Sequence, residues 1–424
     1  MRLASPIRVS SNGRYFVDAE GKPWFWLGDT AWPLYTQYSR AEAEQYLADR
    51  AQKGFTVIQG VLAWGGGTGF EGKTPGPNDA GEVPWIDGDP ARPNEAYFRH
   101  VDHLLKVAES HGLVLAMLPT WGYYVNDAHT LNTENAYQYG KWLGERYKSQ
   151  PNVIWVSGGD RNPTGYVEVY RALGRGLRAG DGGAHLITYH PCGWTHSSQW
   201  FHADDWLDFN MIETWTEWDK VYPAVSYDAQ LLPHKPVVLG EGAYEEWLEH
   251  PEEYPHGPIT PLIVRRQAWW AYLAGGYSTY GHNQLWRMEP GWTKSFDAST
   301  AKHMSIYKTI ATSRDWWKRV PDQGLFASGV GSEQMLNAAA RSPEGDWAMV
   351  YLSSQCHVVL YLDKIQASRV HVTLINPATG EQKDAGIYKT GMRYNAPPPQ
   401  PGLQWFHTPN YWEDAVLLLD AIVE

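Results

Sequence analysis

Eight short apolar segments, each closing on polar or aromatic residues, constrain this 424-residue chain more than any other feature. They are WFWLGDT (24–30), TVIQGVLA (56–63), LVLAMLPTW (113–121), VIWVSGGD (153–160), HLITYHPCGW (185–194), DFNMIETW (208–215), VVLGEGAY (237–244) and GGYSTYGHN (275–283). Continuous apolar runs of this length suit strands buried on both faces. Stretches of helical character separate them. SRAEAEQYLADRAQKG (39–54) opens on Ser39 with Glu42 three residues on, a capping box, and closes at Gly54. NEAYFRHVDHLLKVAESHG (94–112) has an Asn cap, apolar residues at three- and four-residue spacing and a terminal Gly. ENAYQYGKWLGERYKSQPN (134–152) and RRQAWWAYLAGG (265–276) read as helices too. Eight buried strands alternating with helices predict an α/β fold of the (β/α)8 TIM-barrel type. A doubly wound sheet is the alternative, but no G-x-G-x-x-G follows the first strand.

Beyond about Trp317 the texture changes to short alternating runs: DWAMVYLSS, HVVLYLD, RVHVTLINPATGE and WEDAVLLLDA. Turn signals at Pro343-Glu344-Gly345 and Asn376 to Gly380 separate them, so a small all-β sandwich is expected over 321–424, after a barrel domain over 1–320. An Asn12-Gly13 hairpin in the head of the chain is expected to cap the barrel bottom, and APPPQPG near Pro397 is the one Pro-rich stretch.

The net charge of −12, with no Lys/Arg cluster, argues against nucleic acid or an anionic membrane as partner. No apolar run reaches the roughly 18–20 residues of a membrane helix. The N-terminus lacks a secretory apolar stretch, so with Met1 as the native start a cytoplasmic protein is expected. Two distant cysteines, Cys192 and Cys356, make neither a disulfide framework nor a thiolate metal site. The aromatic content is unusual: 23 Trp and 26 Tyr against 10 Phe. Rings with a polar handle suit sugar-binding surfaces, although a Trp-rich core accounts for them equally well.

Barrel active sites form at the C-terminal ends of the strands. Those ends offer Asp29 and Trp32; Trp64; Trp121, Tyr123 and Tyr124; Asp160 and Arg161; His190 and Trp194; Glu213 and Trp215; Glu241 and Tyr244; His282 and Asn283. Two carboxyls facing across a pocket can cleave a glycosidic bond, one as proton donor and one as nucleophile or base. The donor must keep its proton near neutrality, which asks roughly 3–4 kcal/mol of its surroundings. Arg161 pointed at Asp160 would oppose that, so its guanidinium is expected to turn to substrate or another carboxylate.

GDTAW (28–32), IWVSGGDR (154–161), WFHADDWLDFNMI (200–212), GEGAYEE (240–246) and TYGHNQLW (279–286) together resemble the apiosidase-like glycoside hydrolases, the group around glycoside hydrolase family 140. The resemblance covers nearly the whole chain, including a C-terminal module that carries a collagen-binding label in that family. It implies catalytic carboxyls after strands four and seven, here Asp160 and Glu241, on the strands that the apolar pattern independently numbers four and seven. It also implies cleavage of a terminal, furanosyl, apiose-like sugar by a retaining mechanism without cofactor. Two departures stand out. Members carry Gln, a small residue and His after DFNMI, whereas this chain has Glu213-Thr214-Trp215. Related barrels place Asn before the acid, whereas Gly159 stands here, leaving the sugar 2-hydroxyl to Asn283 or His190.

Bland alternatives accompany each residue. Asp160 could cap a helix beginning at RNPTGYVEVYRAL, with Pro163 in its first turn. Glu241 could pair with Arg161 or Arg265. Asp29 could be structural rather than a sugar contact, and Glu213 a sugar ligand or a salt-bridge partner. His190 and His282 lack metal-ligand spacing, so hydrogen bonding to substrate or rim packing is expected of them. EEWLEHPEEYPH (245–256) reads as a solvated acidic loop. Trp32, Trp64, Trp121 and Trp194 are the expected pocket walls, with Arg161, Trp215 and Tyr244 as further contacts. Rival functions are hydrolysis of another pentosyl or hexosyl linkage, saccharide binding without catalysis, and metal-dependent hydrolysis.

Overall fold

A computed structural model of the chain describes residues 6–65, 72–246, 256–288, 290–391 and 402–422. The Pro-rich stretch around Pro397 and most of the acidic loop, 247–255, lie outside the described residues. Eight parallel strands form where the apolar segments stand. They are β1 (Leu27–Thr30), β2 (Val57–Val61), β3 (Val114–Leu118), β4 (Val153–Gly158), β5 (Ile187–His190), β6 (Asn210–Glu213), β7 (Val237–Glu241) and β8 (Tyr277–Tyr280). Ladders join β5-β4-β3-β2-β1-β8-β7-β6 in that order, the order of a curled (β/α)8 sheet. Between β5 and β6 there is no ladder. That seam is bridged by Asp208 N donating to Ile187 O (2.8 Å), Ile187 N to the Asp208 carboxylate (2.7 Å) and Thr188 Oγ1 to Phe209 O (2.6 Å).

The helices between strands are α1 (Arg40–Gln52), α2 (Glu95–Ser110), α3 (Thr133–Tyr147), α4 (Val167–Asp181), α5 (Val221–Gln230), α6 (Pro261–Leu273) and α7 (Ser299–Ala311). α1 starts on the Ser39/Glu42 capping box, and Asn94 caps α2. The alternation holds because each strand is buried on both faces, one by the barrel interior and one by these helices. At the bottom, a three-stranded antiparallel sheet carries Phe16 against Trp26, Phe209 and Tyr277, the N-terminal ends of three strands, as the Asn-Gly hairpin predicted.

After Lys318 the chain is antiparallel β. A six-stranded sheet runs Val320–Pro321, Ala338–Arg341, Trp347–Leu352, Ala415–Ile422, Arg369–Ile375, Gln382–Lys389, and a three-stranded one Phe326–Ser328, His357–Tyr361, Leu403–His407. The sequence reading missed 382–389 and 403–407, whose faces are largely exposed and so carry no apolar alternation. The two parts share a core: the Trp269 ring stacks on Tyr351, and the buried Arg265 guanidinium forms a two-point bond with Asp414 (2.9 and 3.1 Å). Many tryptophans are simply core, among them Trp26, Trp85, Trp155, Trp206, Trp218, Trp269 and Trp270. No described helix is long and apolar enough to cross a membrane.

Candidate active site

VIWVSGGDRN ends as it does because three successive residues must adopt left-handed backbones: Gly158 (φ 90°), Gly159 (φ 115°) and Asp160 (φ 51°). A Cβ on Gly159 would stand 2.6 Å from the Trp121 ring, and one on Gly158 2.3 Å from His190 O. The turn is sealed by Gly159 N donating to His190 O and Gly122 N donating to Gly159 O, both 3.0 Å. Helix α4 starts only at Val167, so Asp160 is not its cap and Pro163 lies outside it. Nor does Glu241 have an arginine partner: Arg265 is held by Asp414 and Glu413, and Arg161 by Asp127 (2.8 Å).

The Asp160 side chain is 45 % exposed. Loss of water on its enclosed sides, helped by the negative charge of Glu241, raises its pKa to about 6. Arg161 opposes this only in part. It turns to Asp127 as expected, yet keeps Nη1 3.5 Å from Asp160 Oδ2 while donating to the Asp160 carbonyl (2.7 Å). Its guanidinium therefore braces the loop, taking the other carboxylate that was one of its two expected partners.

Glu241 sits between two supports. His190 Nε2 lies 3.2 Å from Glu241 Oε2, and the Tyr244 hydroxyl is hydrogen bonded to the same carboxylate. Trp32 Nε1 donates to that hydroxyl (2.9 Å), leaving the phenolic proton for Glu241. Burial holds Tyr244 well above its ordinary pKa, so it stays a donor. His190 is wholly buried under Trp32 and Trp121, whose ring centroids lie 5.2 and 5.8 Å away. It has no surface for a sugar, so it and Tyr244 are supports for Glu241 rather than the sugar contacts expected of them.

Asp29 takes its structural alternative, not the role of a sugar contact. Its carboxylate faces α1, accepting from Tyr46 (2.8 Å) with Arg50 Nε at 3.4 Å, and is completely buried. His282 takes its packing alternative: its Nδ1 accepts from Gln284 N (3.2 Å), capping the short helix Asn283–Arg287, and burial lowers its pKa to about 4. Asn283 is buried beside it, its backbone N–H donating to Glu245 O. Glu245 itself is buried and takes the Tyr280 hydroxyl (2.9 Å), so the solvated-loop reading fails at that residue.

Trp32, Trp64 and Trp121 pack into one aromatic layer, Trp64 edge to face on Trp121 and Trp32 tilted against it, each less than a tenth exposed. Trp194, 52 % exposed, and Trp215 form a second pair 5.4 Å apart. Both hold left-handed backbones (φ 64° and 44°), strain of the kind that gathers at functional sites. Glu213 is buried next to Glu241. Asp127 and Gly193, close to the carboxylates or their braces, were not singled out in the sequence, and Cys192 was weighed only as a disulfide or metal thiol; the position of Cys192 and Gly193 between His190 and Trp194 was the available signal.

His190, Glu213 and Glu241 present donor atoms within 4.8 Å of one another. However, Glu241 approaches the ring at Nε2 and Glu213 at Nδ1 (3.7 Å), and Nδ1 already donates to Pro191 O (2.8 Å). A cation could use only one ring nitrogen, and Nδ1 is already engaged by Pro191 O.

Residues 10–318 match the model of the apiosidase-like catalytic domain, and 320–420 match a domain described as "putative collagen-binding domain of a collagenase". One similar solved structure, a glycoside hydrolase, is 28 % identical over 98 % of this chain and 97 % of its own, with a TM-score of 0.86. Another, a glycoside hydrolase family 5 protein from Bacteroides vulgatus, is 27 % identical over 98 % and 92 %, also at 0.86. Among curated proteins, none matches.

Proposed function

The chain belongs to the apiosidase-like glycoside hydrolases, and we propose that it removes a terminal furanosyl, apiose-like sugar by a retaining two-carboxylate reaction. The observation that carries this reading is the contrast between Asp160 and Glu241. Asp160 is partly exposed with its pKa raised to about 6, as a proton donor needs. Glu241 is held by the Tyr244 hydroxyl, with His190 Nε2 3.2 Å away, as a nucleophile needs. Glu241 attacks the anomeric carbon while Asp160 gives its proton to the departing glycosidic oxygen. Asp160 then takes a proton from water, whose oxygen displaces the Glu241 carboxylate and returns the sugar with its configuration kept. The exposed Trp194 and the half-buried Trp215 beside it are the rings suited to stacking on the sugar face.

Glu213-Thr214-Trp215 favours a second reading in which another pentofuranose is the better fit, because the rim there is both more acidic and bulkier. A panel of apiosides, arabinofuranosides and xylosides separates the two. Proton NMR of the first-formed product tests the mechanism: the substrate's anomer is expected, and the opposite anomer would mean inversion. E241Q should lower turnover by ~10³-fold or more with substrate binding largely intact; near wild-type turnover would refute the assignment.

A further inference from the structure

Glu213 and Glu241 end neighbouring parallel strands, and the register between them is not regular. Asn210, Met211 and Ile212 pair with Val237, Val238 and Leu239, but Glu213 pairs with Glu241, skipping Gly240. Without that skip Glu241 would point to the other face of the sheet. Gly240 fits the bulge because a Cβ there would meet Met211 Sδ at 2.5 Å, and its carbonyl is held by Gln59 Nε2 (2.8 Å). The bulge thus sets two glutamates side by side on the face that carries His190.

Glu213 is almost entirely buried, and its Oε2 has no hydrogen-bond partner. The groups facing it are Glu241 on β7, Asp160 after β4, His190 on β5, Cys192 in the loop beyond, and Arg161 at greater reach. Arg161 is engaged by Asp127 and the Asp160 carbonyl, and the His190 Nδ1 proton by Pro191 O. Three carboxyls therefore share one corner with too little positive charge to keep all three ionised.

We propose that Glu213 is a neutral carboxylic acid in the working enzyme, and that its O–H is a fixed hydrogen-bond donor to the sugar hydroxyl next to the anomeric carbon. That hydroxyl must lie beside Glu241 during attack, and Glu213 stands directly beside Glu241 across the register skip. Burial, then the charges of Glu241 and Asp160, push the Glu213 pKa well above the usual carboxylate range. The proposal rests on the two-carboxylate reading for its role in turnover, but not for its protonation state.

Two measurements test it. At about pH 8, where Asp160 has lost its proton, the infrared difference spectrum of wild type minus E213Q should contain the carbonyl band of a protonated carboxyl. No such band would overturn the proposal. In kinetics, E213Q should lower kcat/KM by less than ~10-fold and leave the alkaline limb in place, while E213A loses ~10²-fold. Equal losses, or an alkaline limb displaced to lower pH because Gln had removed a negative charge from beside Asp160, would overturn it as well. If D160N and E241Q proved active, the catalytic reading would fall, yet the infrared band would still decide the state of Glu213.

Discussion

At Asp160 the balance of burial against charge has a measurable sign. Its pKa is raised, so the proton it must donate is present at low pH and lost as pH rises through about 6. The alkaline limb of kcat/KM is therefore expected near pH 6; a limb beyond pH 8 would mean another group donates. D160A should cost ~10³-fold on alkyl glycosides but far less on nitrophenyl glycosides, whose leaving group needs no proton. Equal losses on both would remove Asp160 from that role. At Asp29 the expectation is different because the carboxylate answers Arg50, which is buried against the Tyr46, Phe55 and Phe296 rings. D29A should lower stability by ~3 kcal/mol in urea unfolding while KM stays within about twofold. A large rise in KM with unchanged stability would restore Asp29 as a sugar contact.

Strand ends explain both what could be read from the chain and what could not. The apolar runs placed Asp160 and Glu241 on strands four and seven because a buried parallel strand needs an uninterrupted hydrophobic stretch, and its polar end then marks the rim. Which way a rim side chain faces is another matter. Alternate residues point to opposite faces, so Asp29, one position from the end of β1, turned to α1 without any local signal. Glu213 and Glu241 meet only through a bulge at Gly240, and His190 is sealed beneath Trp32 and Trp121 by rings distant in sequence. The Gly158-Gly159 turn was visible as a pair of bare residues, and its left-handed backbone makes a sharp test. G159A places a methyl group 2.6 Å from the Trp121 ring at φ 115°. It should lower kcat/KM by ~10²-fold through displacement of Asp160, with the circular dichroism of the folded protein retained. Unaltered kinetics would mean that the turn does not position the acid.

In the whole molecule, α6 is the element through which the β-sandwich reaches the catalytic face. Arg265, Arg266, Trp269 and Trp270 on this helix contact the sandwich, through Asp414, the Ser353 carbonyl, the Tyr351 ring and the Leu336 carbonyl. Between them Gln267 turns the other way: its side chain accepts from Ala243 N (2.7 Å) and donates to Ala243 O (3.2 Å), two residues beyond Glu241. The sandwich thus holds the helix that holds the loop after the proposed nucleophile. Arg265 is fully buried, so D414A leaves a charge with only the exposed Glu413 to answer it. A loss of ~3–5 kcal/mol is expected from urea unfolding, with activity and tryptophan fluorescence lost at one common midpoint. A chain ending after Lys318 should not recover the wild-type midpoint, because Trp269 and Trp270 would face water in place of Tyr351 and Leu336. If that shortened chain unfolded at the wild-type midpoint with full activity, the sandwich would be an appended module, and the coupling through Gln267 would carry no energy.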